Sequence, residues 1–238
     1  MKVRVRFSVA VWCAALFLTI VGCVKLQIKQ YYVLNYSPSS VRDRLNPGAY
    51  PCTIRLREFE IEEAYTKPQI VYRQSPFQLQ YYVYRVWAVK PERMITDLLH
   101  KHLLNASLVS NIVRRFDEGN KPEYELSGIV EAIEEYDSDE LWFAHLALRI
   151  NLVRIKDGRT MYSRRFDHRK RVFQHEPEYV VREMSSLMEY IFTQAIHDID
   201  AVLSSDYGTP PPGPDEQQND RETTIETTPI DSTVIEEQ

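Results

Sequence analysis

From Trp142 to Leu152 every second residue is apolar. Trp142, Ala144, Leu146, Leu148, Ile150 and Leu152 stand on one side, with His145, Arg149 and Asn151 on the other. A period of two sustained over that length is what one buried face of a β-strand requires. The same period runs through Glu123–Tyr136, where Tyr124, Leu126, Gly128, Val130 and Ala132 share a side, and it returns in Thr160–Phe173. Lys156–Arg159 lies between the last two strands, and its Asp157-Gly158 pair is a hairpin signal. Upstream, Lys29–Tyr36, Thr53–Ile61 and Gln78–Val89 read as strands, the last rich in Tyr, Val and Trp. The period changes to 3.6 in two places. Pro91 opens a helix whose Ile95, Leu98, Leu99, His102 and Leu103 share a face. Glu176–Ser204 is a longer helix with one stripe running from Val180 through Met184, Met188 and Ala195 to Val202. Strands, helix, strands, helix: this order predicts an α+β sandwich, an antiparallel or mixed sheet with two helices on one face.

The charge is distributed in three blocks. The whole chain of 238 residues carries a net −5. Residues 1–22 hold Lys2, Arg4 and Arg6 without an acid, and residues 205–238 hold nine acids against Arg221 alone. The body between them is neutral, a poor match for a nucleic-acid binder, which presents a basic face. The basic start is followed by an uncharged run, Phe7–Val24, which is the layout of a secretory signal. The run ends Ile20-Val21-Gly22-Cys23, which resembles the bacterial lipobox. That resemblance implies a diacylglycerol and acyl chains, palmitate among them, on Cys23, with cleavage before it. The alternative is an uncleaved anchor helix, for which the run is barely long enough. Either way the body lies outside the cytoplasm. The chain divides accordingly: a signal peptide over 1–22, the lipidated Cys23 with a short tether to residue 29, a folded domain over 30–204, and an acidic Pro/Thr-rich tail over 205–238. Low hydrophobicity and high charge predict disorder for that tail. Cys13 leaves with the signal and Cys23 takes the lipid, so Cys52 has no disulfide partner and reads as a small buried hydrophobe.

Few residues in the body carry catalytic chemistry. From Cys23 to Ser204 the glycines are Gly48, Gly119, Gly128 and Gly158, and neither phosphate-loop pattern can be written with them. His100 and His102 diverge on a helix and cannot share a metal, and the other histidines show no ligand spacing. Asp137-Ser138-Asp139-Glu140 lacks the glycine and distal glutamate of a calcium loop. No nucleophile elbow of the G-x-S-x-G type is present. Glu131, Glu134 and Glu135 read as solvated carboxylates at a sheet end. The expectation is a non-enzymatic protein without a metal or a cofactor, apart from the covalent lipid. Two binding surfaces stand out. Arg164, Arg165, His168, Arg169, Lys170 and Arg171 form a basic run that would suit lipid headgroups or an acidic partner, or would be a solvated strand balanced by acids 131–140. Tyr81, Tyr82, Tyr84 and Trp87 would form a lipid-contacting or homo-oligomer surface, or ordinary cross-strand packing.

Taken in order, Tyr31-Tyr32-Val33-Leu34, Ile70-Val71-Tyr72-Arg73 and Tyr81-Tyr82-x-Tyr84-x-x-Trp87, then Pro91 and a Leu-rich helix, resemble the ABC-type transport auxiliary lipoproteins, the PqiC-like family. The resemblance covers about residues 28–204. It implies a fold like the sandwich at the N-terminus of TolB-like proteins. It also implies a periplasmic accessory subunit of an MCE-type or related ABC lipid transporter, with the MCE tunnel protein and the transporter subunits as partners. Val24 after the cysteine, in place of aspartate, resembles the signal for release to the outer membrane. The alternative is a structural envelope lipoprotein not linked to any transporter.

Overall fold

The computed structural model describes residues 27–38, 49–114, 121–138, 141–174 and 176–208. The signal segment, Cys23 and the tail from 209 onward lie outside the described residues. Among the described residues, nine strands and two α-helices follow in the order β1 (Gln30–Tyr32), β2 (Tyr50–Leu56), β3 (Glu60–Ile61), β4 (Gln69–Ser75), β5 (Gln78–Trp87), α1 (Pro91–Ala106), β6 (Val109–Val113), β7 (Tyr124–Ser138), β8 (Leu141–Arg154), β9 (Arg159–Val172) and α2 (Pro177–Tyr207). The fold is α+β: a mixed sheet curled into a half-barrel and backed by two helices.

The long strand β7 organises the sheet. Its one edge pairs antiparallel with β8 from Tyr124↔Arg154 to Ser138↔Leu141, and β8 pairs likewise with β9. Its other edge is shared by three short strands, all parallel to it: β2 at Tyr124–Leu126, β3 at Ile129–Val130 and β4 at Glu134–Tyr136. Beyond β2 lies β6, and beyond β4 lie β5 and the edge strand β1. The apolar row of β8, Trp142 to Leu152, is buried throughout. Both helices supply the opposing stripe, α1 through Met94, Ile95, Leu98, Leu99 and Leu103, and α2 through Val180, Met184, Met188, Ile191 and Ala195. Burial of this area drives the fold, at about 25 cal/mol per Å² of apolar surface. After β1 the chain leaves the sheet and runs across both helices. There Leu34 is buried with its N–H 3.1 Å from Met94 Sδ, Asn35 N–H donates to Ser185 Oγ at 3.1 Å, and the Tyr36 hydroxyl meets His102 Nδ1 at 3.1 Å.

Several elements differ from the sequence expectation. The strand expected over Lys29–Tyr36 is confined to Gln30–Tyr32, because the following residues serve the helices instead. The strand expected over Thr53–Ile61 is two strands, broken where Phe59 turns inward and its N–H donates to Thr96 Oγ1 at 2.9 Å. Strands β4 and β6 have no counterpart in the periodicity reading. Both are short and end in polar or half-buried residues, so alternation has too few positions to register. The hairpin at Asp157-Gly158 is as expected, with Gly158 at φ +67°. Helix α2 continues past Ser204 because Asp206 and Tyr207 have partners. Asp206 accepts from Arg154 at 2.8 Å and from the Tyr124 hydroxyl, and the Tyr207 ring packs beside Tyr50 and Tyr124.

Two stability predictions follow from these contacts. The acidic tail should be dispensable only beyond Gly208. Truncation there should leave stability within about 0.5 kcal/mol, whereas truncation after Ser205 should lower the urea midpoint measurably. Gly128 faces Phe59 so closely that a β-carbon would lie 2.2 Å from the ring. Gly128→Ala should therefore cost about 1–3 kcal/mol, and Phe59→Leu introduced alongside should recover part of it in a double-mutant cycle.

Candidate functional site

Three places on this framework were candidates for function: the acidic stretch of β7, the basic run of β9, and the aromatic strand β5 with the tether beside it. The acids of β7 are not solvated. Alternation sends Glu134 and Glu135 to opposite faces of the sheet, and both are buried. Glu134 faces away from the helices, beneath the short 3-10 turn Glu63–Tyr65. It accepts from the Tyr65 hydroxyl at 2.6 Å and from Arg73 Nε at 3.0 Å, and it meets His145 Nδ1 at 3.0 Å. The other ring nitrogen of His145 meets Asp167 Oδ1 at 2.9 Å. Asp167 pairs with Arg165 at 2.9 Å, Arg165 with Glu131 at 2.5 Å, and Glu131 with Arg149 at 3.0 Å. A string of charged side chains, linked through the His145 ring, thus crosses β4, β7, β8 and β9 on the outer face.

Burial would raise the Glu134 carboxyl, but donors from His145, Tyr65 and Arg73 outweigh it and hold the group below the usual carboxylate range. Asp167 is likewise held down by His145 and Arg165 against the effect of burial. Glu135 behaves oppositely. It sits on the helix side, where the Tyr82 hydroxyl donates to Oε1 at 2.8 Å and Trp142 Nε1 donates to the same oxygen. Oε2 is buried without a hydrogen-bond partner. Desolvation wins there and pushes the carboxyl up to about 7, despite those two donors. Both nitrogens of His145 are taken up by carboxylates, so the string presents no base to a nucleophile. Its chemistry is that of an electrostatic clamp holding four strands in register. Among the described residues no group of three His, Cys, Asp or Glu is arranged to hold a metal. Cys52 is buried, and burial, with the Glu123 charge behind it, pushes its thiol up to about 12.

The basic run is divided by the pleat. Arg164 and Lys170 point to the helix side and are paired with α2, Arg164 with Asp198 and Lys170 with Glu183, each at 2.7 Å. Arg165, Arg169 and Arg171 point to the outer face. There Arg165 belongs to the charge string, Arg169 stacks over Tyr136 at 4.7 Å and Arg171 over Phe173 at 5.1 Å. The structure therefore brings three of the five arginine and lysine candidates to one face, and of these Arg169 and Arg171 stack on a ring and have no acid partner among the described residues. The aromatic run divides too. Trp87 is core, Tyr82 serves Glu135, Tyr81 donates to the Ala64 carbonyl at 3.0 Å, and Tyr84 is exposed.

Strand β1 covers only Arg85–Trp87 of β5. Beside the remaining edge, Gln27, Ile28 and Gln30 line an open groove of about 760 Å³ with Tyr82, Val83 and Tyr84. Ile28, Tyr31, Val33 and Val83 are exposed along this edge, next to where the tether begins.

The description "ABC-type transport auxiliary lipoprotein component" matches residues 32–195, a span that takes in the charge string, β5 and most of both helices. The chain belongs to this family. Its members are lipoproteins, auxiliary to ABC-type transport, so membrane anchorage and an accessory role come with membership. Among solved structures, protein XCC0632 from Xanthomonas campestris superposes with a TM-score of 0.67 at 17% identity, covering 74% of this chain and 98% of that one. The structure of an uncharacterized protein follows at 0.56 and 13%, covering 72% and 99%. At those identities the likeness is one of fold. No curated protein matches the chain.

The buried Glu135 makes stability depend on pH. Its carboxyl rises from 4.5 to about 7 on folding, so the neutral form is the one the fold favours. Its contribution is full below about pH 4.5 and is lost as pH rises through 7, by at most about 1.4 kcal/mol per pH unit. Glu135→Gln stays neutral throughout. The variant should gain stability over the wild type as pH rises from 5 to 8, and the gain should level off above 7; paired urea titrations at each pH read the difference.

Proposed function

We propose that the protein is a non-enzymatic adaptor, acylated on Cys23 and held at the periplasmic face of the outer membrane, where it docks an MCE-type tunnel protein of an ABC lipid transporter. Family membership supports the auxiliary role. The observation that carries the adaptor reading is the position of β1, which begins at Gln30 on the edge of the sheet. Six residues, Val24–Lys29, separate it from Cys23, a reach of about 20 Å when extended. A body held that closely cannot range across the periplasm, so the transporter extends to meet it. Several acyl chains on one cysteine make the attachment effectively permanent, at about 0.8 kcal/mol per buried CH₂. The outer sheet face, where Arg165 and Arg169 lie along β9, is the surface offered to the partner.

Cys23→Ala should leave residues 1–22 on the chain, because acylation of the thiol precedes the cut. The wild type should lack them and carry the added acyl mass, both read by mass spectrometry. Detergent-solubilised wild type should co-purify transporter subunits, and the Cys23→Ala form should recover far fewer. An intact leader on the wild type would establish the anchor helix instead, and envelope proteins without transporter subunits would establish a purely structural lipoprotein.

A further inference from the structure

Two phenylalanines stand apart from the general burial of aromatic rings: Phe77 is 98% exposed and Phe173 is 81% exposed. The strand registers place them at the same end of the sheet. Strand β4 runs parallel to β7 with Arg73 opposite Tyr136, so the turn carrying Phe77 after Ser75 lies level with the end of β7. Ser138 at that end faces Leu141, and Trp142 faces Val172, which brings Phe173 to the same level. From β4 to β9 is three strand spacings, about 14 Å.

The amino-terminal chain leaves toward this end. Strand β1 is parallel to β5 and β5 antiparallel to β4, so the chain traced backward from Gln30 runs toward the Phe77 turn. Gln27 and Ile28 share their groove with Tyr82 and Val83, five or six residues of strand from Phe77, or about 17–20 Å. The four residues from Gln27 back to Cys23 span about 13–14 Å when extended. An extended segment would bring Cys23 within a few ångströms of the level of the two rings. Ile28 and Val83, 77% and 68% exposed, continue the apolar strip along the path.

The geometry points to a membrane-contacting end of the domain, in which Phe77 and Phe173 insert among the lipid headgroups beside the acylated Cys23; this rests on the lipidation reading above. The local charge is mixed. Arg171 stacks on Phe173 and Arg73 donates to the Pro76 carbonyl at 3.0 Å, while Asp137 lies near the end of β7 and Asp139 and Glu140 follow that strand in the sequence. The contact is therefore apolar, set by ring area and not by attraction to anionic headgroups.

Tryptophan reporters test this in the mature protein, purified from membranes and reconstituted into phosphatidylcholine vesicles with brominated acyl chains. Phe77→Trp and Phe173→Trp mark this end, and Ile155→Trp marks the β8–β9 hairpin at the other. The native Trp87 and Trp142 are buried and give the baseline. Bromine should quench the added emission at positions 77 and 173 about twofold, leave position 155 untouched, and act equally when phosphatidylglycerol is included. No quenching at 77 and 173, equal quenching at all three, or a response confined to phosphatidylglycerol would overturn the inference. So would a blue shift without quenching, which would place the tip against protein. The mass of the same preparation keeps the two readings separate. A missing acyl increment refutes lipidation at Cys23, whereas lipidated protein with unquenched reporters refutes only the membrane contact.

Discussion

A strand as long as β7 exposes backbone donors and acceptors along two edges, and in a buried position each of them must find a partner. One edge is simple, since β8 follows by a hairpin and runs its whole length. The other edge has no single strand to match it and is completed by β2, β3 and β4 in turn, all parallel. Parallel pairing needs crossover connections, and the rest of the topology follows from this. The chain must return to the same edge several times, and α1 provides the longest crossover, carrying β5 back to β6. The gaps between the three short strands are where irregular backbone enters: Phe59 folds inward over Gly128, and the 3-10 turn covers Glu134.

The charge string is the side-chain counterpart of this arrangement. Arg73 comes from β4, Glu134 and Glu131 from β7, His145 and Arg149 from β8, and Asp167 and Arg165 from β9, so every contact of the string except Asp167–Arg165 crosses a strand boundary. Removing one partner of a buried charge costs about 3–5 kcal/mol, because the other is left uncompensated. The string therefore penalises a register shift more sharply than apolar packing would. Its neighbour Glu135 shows how far environment decides the state of a carboxyl. One residue along the strand, on the opposite face, with two donor side chains in place of three and no ion pair among the described residues, the same group is pushed up instead of down.

Much of this was legible in the sequence. Strands β7, β8 and β9 and both helices have enough positions for their periods to stand out, and the motif order Tyr31–Leu34, Ile70–Arg73, Tyr81–Trp87 indicated the family. What escaped was set by contacts distant in sequence. Strands β4 and β6 acquire strand character from the edges they complete. Asp206 and Tyr207 join the fold through Arg154 and Tyr124, which lie far away along the chain. Glu134 and Glu135 resembled solvated acids because counting charges along a strand does not reveal what lies above each face. A signal was available: two adjacent glutamates in the middle of a strand must place one on the buried side. The basic run of β9 failed as a single patch for the same reason, since alternation divides any contiguous run between two faces.

The path of the first described residues has a mechanical consequence. A pull on the tether acts along the axis of β1, because Gln27 and Ile28 continue its line beside β5. Force in that direction loads all of the β1–β5 hydrogen bonds together in shear, instead of opening them one at a time. Past β1 the tension meets Leu34 and Tyr36, wedged against both helices. On the proposed docking, drag on a partner would reach the core through that junction, and unfolding under load is a matter of rate. Three residues of edge strand, weak by their count of bonds, serve as the strain relief of a cable.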